Sequence, residues 1–352
     1  MMDRRTFLTS LMSLGGWAVL GGHLPAGEQP ILQAGVVKTL SRDDRIGKWR
    51  GRVQSFLERG VLPIIDTQAT YGPDIPTDYM MQEMDKNGAA LVCFAPKFRD
   101  PKRGSSLSLQ LATEHPHHFV PTTCEGIPRR QEGPLLEALG RETRSGDFFL
   151  MGEMAFRHYP SIKQYKAGQF TKDTGTPIDG PWGHAIFQLS SETGVAFQIH
   201  YEREDALLTP LEKMLQAYPA AKVIWCHTGI IRYPAKQSAY GPDYLSRTLS
   251  EHPNLFGDLA VSEPGKKYPG SGFVQNTIQF NDGRLRPEWQ KLFQSHPDRF
   301  TIGTDIAPDR YTNFPKRIAA AREILASLSK EAAARIAFQN AWRLLTRQEW
   351  VP

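Results

Sequence analysis

Phe148-Phe149-Leu150-Met151-Gly152-Glu153, Val195-Ala196-Phe197-Gln198-Ile199-His200, Val223-Ile224-Trp225-Cys226-His227 and Phe300-Thr301-Ile302-Gly303-Thr304-Asp305 are four short apolar runs. Each ends on a side chain able to bind a metal or move a proton. Apolar runs of this length bounded by turn residues read as strands buried on both faces, the signature of a parallel sheet. In a closed parallel sheet, side chains at the C-terminal strand ends all face one mouth. The four runs therefore predict both a fold and the place of its chemistry.

Working outward, eight strands are expected, over 61–66, 89–95, 118–123, 147–153, 194–200, 221–227, 254–261 and 299–305. Amphipathic stretches over 76–87, 132–143, 185–193 and 208–218 lie between some of them, and a further helix is expected over 45–59, stopped by Gly60. Strands alternating with helices imply βαβ units, and eight of them in a chain of 352 residues imply a (β/α)₈ TIM barrel of the α/β class as a single domain over 45–352. Two intervals are longer than the rest, 154–182 and 262–286, and each follows a strand end, where a lid would sit. The chain closes on 328–347, a pattern of two helices or one interrupted helix containing Asn340-Ala341.

The composition is that of a globular protein, 40% hydrophobic and 22% charged. A net charge of +5 is small and scattered, which argues against nucleic acid as a partner. Cys93, Cys124 and Cys226 are widely spaced with no Cys-x-x-Cys pair, and all read as small buried apolar residues. Residues 3–8, Asp-Arg-Arg-Thr-Phe-Leu, with the apolar stretch Leu11–Leu20, resemble a twin-arginine export signal. That resemblance implies a signal peptide over 1–26, a linker over 27–44, the twin-arginine export machinery as a partner, a periplasmic location, and no stable membrane association after cleavage.

A zinc-like divalent ion takes imidazole nitrogen and carboxylate oxygen, and a catalytic site needs about three protein ligands with room left for water. Glu153, His200 and His227 supply that set from three consecutive strands, which lie about 4.8 Å apart. Asp305, from the eighth strand, is placed to take a proton from activated water and hand it to a leaving group. Singly, each residue has a plain structural reading: a hydrogen-bonded core histidine for His200 or His227, a helix cap for Glu153 or Asp305. Together they would be four coincidences on one barrel face.

These residues resemble the amidohydrolase superfamily, in its amidohydrolase-related branch. The resemblance spans roughly 60–346 and is carried by Pro63-Ile64-Ile65-Asp66-Thr67, Gly152-Glu153, Ile199-His200, Trp225-Cys226-His227-Thr228-Gly229, Ile302-Gly303-Thr304-Asp305 and Asn340-Ala341. It implies a barrel with one or two divalent metals at its mouth and hydrolysis of amide, ester or related bonds. One departure is plain. Where most members carry His-x-His after the first strand, this chain has Gln68-Ala69-Thr70. Neither an amide nor a hydroxyl is a strong ligand for such an ion, so a single ion on Glu153, His200 and His227, with zinc as the expected metal, matches the deacetylases of the superfamily that have lost this pair.

The expected activity is hydrolysis of a small-molecule amide, ester or lactone, with Asp305 as general acid and base. Gln68, Thr70, Arg157, Tyr201, Arg203 and Arg232 are the expected substrate-binding residues. A metal-dependent decarboxylase or other lyase of the same superfamily and a non-catalytic binding barrel are the alternatives. A homo-oligomer is compatible with the sequence.

Overall fold

Eight short parallel strands form the sheet in the computed structural model, which describes residues 40–97 and 104–351. They are β1 (Ile64–Tyr71), β2 (Ala89–Pro96), β3 (Phe119–Pro121), β4 (Leu150–Ala155), β5 (Ala196–His200), β6 (Val223–Trp225), β7 (Leu255–Asp258) and β8 (Phe300–Thr301). Ladders join β1 to β2 to β3, and β4 to β5 to β6 to β7 to β8, all in parallel. Single bridges close the two gaps, Thr122 with Leu150 and Gly126 with Met154 on one side, Asp66 with Ile302 and Ala69 with Ile306 on the other. The result is the (β/α)₈ barrel that the alternating pattern implies. The expected signal segment 1–26 lies outside the described residues, as does the linker up to residue 39; the last part of that linker, from Arg42, is already helix.

The strands are buried because helices cover the outside and side chains fill the inside. Most of them are therefore apolar runs rather than alternating ones, β1 with its buried Asp66, Thr67, Gln68 and Thr70 being the exception. The first helix, α1 (Arg42–Glu58), starts where Ser41 Oγ accepts from the Asp44 amide at 3.1 Å. It buries Trp49, Val53 and Phe56, and Trp49 meets Phe149 edge to face at 4.6 Å, just ahead of β4. At the other end of the chain, the stretch expected as two helices or one interrupted helix is α-helix over Lys330–Ala334, a wider π turn over Arg335–Gln339, and α-helix again over Asn340–Thr346. Asn340 explains itself here: its amide donates to the carbonyls of Pro297 and Phe300, both at 2.8 Å, and pins the last helix to the start of β8.

Strand ends depart from the sequence reading in an informative way. β4 starts later than expected and runs two residues past Glu153, with its register against β5 shifted between Met151 and Glu153. β6 and β8 stop early because the chain turns sharply at their functional ends, where His227 and Asp305 adopt left-handed backbone angles, φ 59° and 52°. Non-glycine residues rarely hold such angles without support. The two long intervals fold against each other. A short antiparallel ribbon pairs Arg157–His158 with Thr174–Gly175, and Tyr268 of the second interval donates to the Pro160 carbonyl at 2.9 Å while its ring lies 5.8 Å from Tyr165. Among the described residues no helix is long and apolar enough to cross a membrane.

Candidate metal centre

Glu153, His200 and His227 rise from β4, β5 and the end of β6, and their ligand atoms all lie within 4.8 Å of one another. Glu153 Oε1 is 2.6 Å from His200 Nδ1 and 3.3 Å from His227 Nε2. One carboxylate oxygen and two imidazole nitrogens thus converge on a point, the donor set a borderline-soft divalent ion prefers. Burial alone would push the Glu153 carboxyl up, but His200 and then His227 outweigh it and hold it well below its ordinary value. The same carboxylate, opposed by burial, lifts His227 to about 9, so Glu153 and His227 form an ion pair, and a cation bound here would take the place of the imidazole proton.

The backbone beneath these groups is built to aim them. At Gly152 a Cβ would stand 2.6 Å from the Thr123 carbonyl and 2.8 Å from the Ala95 methyl, so only glycine lets β4 pass this close to its neighbours and present Glu153 at the next position. The left-handed turn at His227 is held by Asp258 at the end of β7, whose Oδ1 accepts from the His227 amide at 2.6 Å and the Ala260 amide at 3.1 Å. His227 Nδ1 donates to the Ala260 carbonyl at 3.2 Å, which turns Nε2 towards Glu153. A matching device sits under Asp305. Buried Asp66 on β1 accepts from the Thr304 hydroxyl at 2.5 Å and from the amides of Thr304 and Gln68 at 3.0 and 3.1 Å, while the Asp305 amide donates to the Gln68 carbonyl at 2.9 Å. Desolvation pushes the Asp66 carboxyl up to about 7.

His200 has a partner that the sequence reading missed. Its Nε2 faces Glu202 Oε1 at 3.3 Å, and Glu202 in turn forms a buried ion pair with Arg232. Accepting from Nε2–H, Glu202 leaves Nδ1 as the nitrogen turned to Glu153. His158, from the ribbon, lays its ring 4.5 Å from that of His200, and burial lowers it to about 3, so it is neutral there. Glu125, on the loop after β3, is a further carboxyl at the mouth. Thr70 Oγ1 donates to its Oε2 at 3.0 Å, Lys97 lies 3.8 Å from its Oε1, and burial first, with the Glu153 charge also contributing, pushes it up to about 7. Glu202 could have been noticed from its place two residues after His200. Glu125 carries no sequence signal, because its strand is only three residues long and its relation to the site is purely spatial.

A cavity of about 900 Å³ at the same barrel mouth is lined by Thr70, Lys97, Arg232, Asp305, Arg310 and Arg317 among others. The expected substrate-binding residues divide here. Thr70 and Arg232 line the cavity, although the guanidinium of Arg232 is engaged by Glu202. Gln68 is buried beside the ligands, with Nε2 3.1 Å from Glu153 Oε2 and 3.2 Å from His227 Nε2. Three of the expected residues do not line this cavity. Tyr201 is buried and donates to the Leu207 carbonyl; Arg203 is buried over the Trp225 ring and donates to the Cys226 carbonyl; Arg157 is paired with Asp173 and Glu204. A residue just past a strand end turns outward into the packing as readily as inward. Cys93, Cys124 and Cys226 are free and buried, as small apolar residues would be.

Solved structures with the same fold include an amidohydrolase from Burkholderia multivorans, at 11% identity and a TM-score of 0.50 over 81% of this chain and 99% of that one; another crystal form of it holds zinc. A 2,6-dihydroxybenzoate decarboxylase aligns at 12% identity and a TM-score of 0.48 over 82% of this chain and all of the other. 4-Oxalomesaconate hydratase from Rhodopseudomonas palustris aligns at 14% and 0.47, over 88% of this chain and 94% of that one. No curated protein matches the chain in sequence. The model of the amidohydrolase family matches residues 155–347, a stretch that includes both candidate histidine ligands and Asp305. With that pattern over more than half of its length, the chain belongs to the amidohydrolase family.

Proposed function

We propose that this protein is an exported, mononuclear metal-dependent hydrolase of a small-molecule amide, ester or lactone. The observation that carries the reading is the convergence of Glu153, His200 and His227 on one point, with Asp305 on the wall of a cavity nearby. A divalent ion held by those three residues supplies Lewis acidity for activating water and polarising a carbonyl. Zinc suits two nitrogens and a carboxylate oxygen.

The chain's own residues supply the rest. Asp305 is ionised, because Arg310 and His227 outweigh the upward push of burial, so it enters the reaction able to accept a proton. Having accepted it, the same carboxyl can return it to the departing amine or alcohol oxygen. The Glu202–Arg232 pair and Asp258 keep the two imidazoles oriented throughout. Lys97 and Arg317 on the cavity wall, set among Asp74, Glu263 and Asp305, can orient a carbonyl or carboxylate oxygen of the substrate. Export rests on the Arg4-Arg5 segment, and a folded barrel leaving the cytoplasm by the twin-arginine route would take its ion with it.

The test is a panel of esters, lactones and amides, neutral and carboxylate-bearing, assayed with protein of measured metal content. Turnover that incorporates water and is lost together with the ion in His200→Ala and His227→Ala supports the proposal. Release of carbon dioxide from aromatic acids without water incorporation would replace it with a decarboxylase. Fractionation of cells making the full chain, with Arg4→Lys and Arg5→Lys changed together as the control, tests the location.

A further inference from the structure

We propose that Arg317, with Gln275 beside it, forms a subsite for a free carboxylate, so that the preferred amide, ester or lactone carries an anionic group away from the bond that is cleaved. This rests on the hydrolase reading above and names its substrate class. Six cationic side chains line the cavity, and five of them stand in ion pairs with carboxylates. Arg317 is the sixth, and among the described residues no carboxylate lies within ion-pair reach of it. It is anchored all the same. One Nη donates to the carbonyl of Val261, just past β7, and the other N–H donors of the guanidinium are left uncommitted. The carbonyl one residue earlier, that of Ala260, orients His227, so the anchor shares a segment with the metal centre.

The helix that carries Arg317 does not account for it. Arg317 stands near the start of Phe314–Ala326, directly after Lys316, and positive charge at that end opposes the helix dipole. Lys316 is employed in holding Glu263, at 2.7 Å, together with Lys266 at 3.5 Å. Asp305, on the same wall, has its own cation in Arg310 at 2.8 Å. Arg317 is thus the charge left over. Gln275 supplies the second part of the subsite. It is buried, lines the same cavity, and meets Ser262 Oγ with one end of its amide at 2.6 Å while the other end has no partner. Because the Ser262 hydroxyl either donates or accepts, the free end can present its NH₂ to a ligand. Ser262 directly follows Val261, so the guanidinium and the amide are tied to adjacent residues. A planar fork with an amide donor beside it matches the two oxygens of a carboxylate.

The first test is calorimetric binding of succinate, glutarate and adipate to the full chain stripped of metal, which keeps the ion from competing for the carboxylate. The parent should bind at least one of them. Arg317→Met should bind it about 10–100-fold more weakly, Gln275→Ala should lose a smaller factor, and Arg317→Lys, which keeps the charge without the fork, should fall between parent and Arg317→Met. The second test compares mono-p-nitrophenyl glutarate with its methyl-capped counterpart on protein of measured metal content. The parent should favour the charged ester, and Arg317→Met should lose most of that preference, chiefly through KM. A parent that binds none of the three dicarboxylates, or an Arg317→Met variant that binds them as the parent does, overturns the proposal. An equal loss on both esters also overturns it, since Arg317 would then act only by its charge on Asp305. Failure of the hydrolase reading looks different: the metal-loaded parent turns over neither ester, while dicarboxylate binding and its loss in Arg317→Met persist.

Discussion

Arg310 holds Asp305 at two points, donating from Nη2 to the carboxylate and from Nε to the backbone carbonyl, both at 2.8 Å. The second contact braces a residue at φ 52°, and the first supplies charge. Burial pushes the Asp305 carboxyl up, Arg310 and then His227 pull it down, and the net displacement is downward. A base must be ionised, so activity should fall as the pH drops through the Asp305 pKa. Removing the Arg310 charge raises that pKa. The acid limb of kcat/KM in Arg310→Met should therefore move to higher pH, with the plateau rate less affected, and Arg310→Lys should move it back. A limb that stays in place separates Asp305 from the proton step. Asp305→Asn should cost about 10²–10⁴ in rate with ion content unchanged.

Glu202 and Arg232 make a separate prediction, because they would act on a bound ion through His200. The Glu202 carboxyl is held below its ordinary value; burial opposes this, and Arg232 is the largest contributor in its favour. Glu202→Gln should weaken ion binding by about 10–100-fold without changing the number of ions bound. Arg232→Met takes the guanidinium from a buried carboxylate that then keeps His200 as its hydrogen-bond partner, and should cost about 3–5 kcal/mol in urea unfolding. Ion affinity untouched by either change would show that His200 needs no second partner.

Gly152 sets the approach of β4 to the loop after β3. Gly152→Ala must move the strand away from the Thr123 carbonyl, a fixed backbone atom, and Glu153 moves with it. Overpacking of this kind costs about 1–3 kcal/mol. Ion affinity should fall along with stability, and a variant that loses stability alone would mean that Glu153 tolerates the shift.

The fold and the convergence of Glu153, His200 and His227 were legible because both depend on strand-scale patterns. Buried parallel strands are mostly apolar, and a polar residue closing such a run stands out: Glu153, His200, His227 and Asp305 were all visible for that reason. What supports them was not. Asp258 ends its strand within a predicted run, Glu125 follows a three-residue strand, and both act through contacts set by how neighbouring strands are staggered, which no local pattern encodes. Tyr201, Arg203 and Arg157 show the converse. Their positions after strand ends suggested the mouth, but whether a side chain past a strand end faces inward depends on the turn it sits in.

Far from the mouth, His118 gives a prediction about the fold alone. Its ring is mostly buried beside α1, and desolvation first, then the charge of Arg52, lower it from 6.5 to about 4, with His115 and His117 adding to the effect and Asp85 opposing it. The folded protein thus resists a proton that the unfolded chain accepts at about 6.5. Between those two values the unfolded state binds more protons, so stability rises with pH across the window and is lost on acidification from about 6.5 to about 4. The full effect is about 1–3 kcal/mol, discounted for the exposed part of the ring. In His118→Gln this proton is absent. Urea unfolding of parent and variant at intervals from pH 7 to pH 4 should show the parent losing stability faster than the variant, and a difference that stays constant over that range would mean that His118 titrates normally in the folded state.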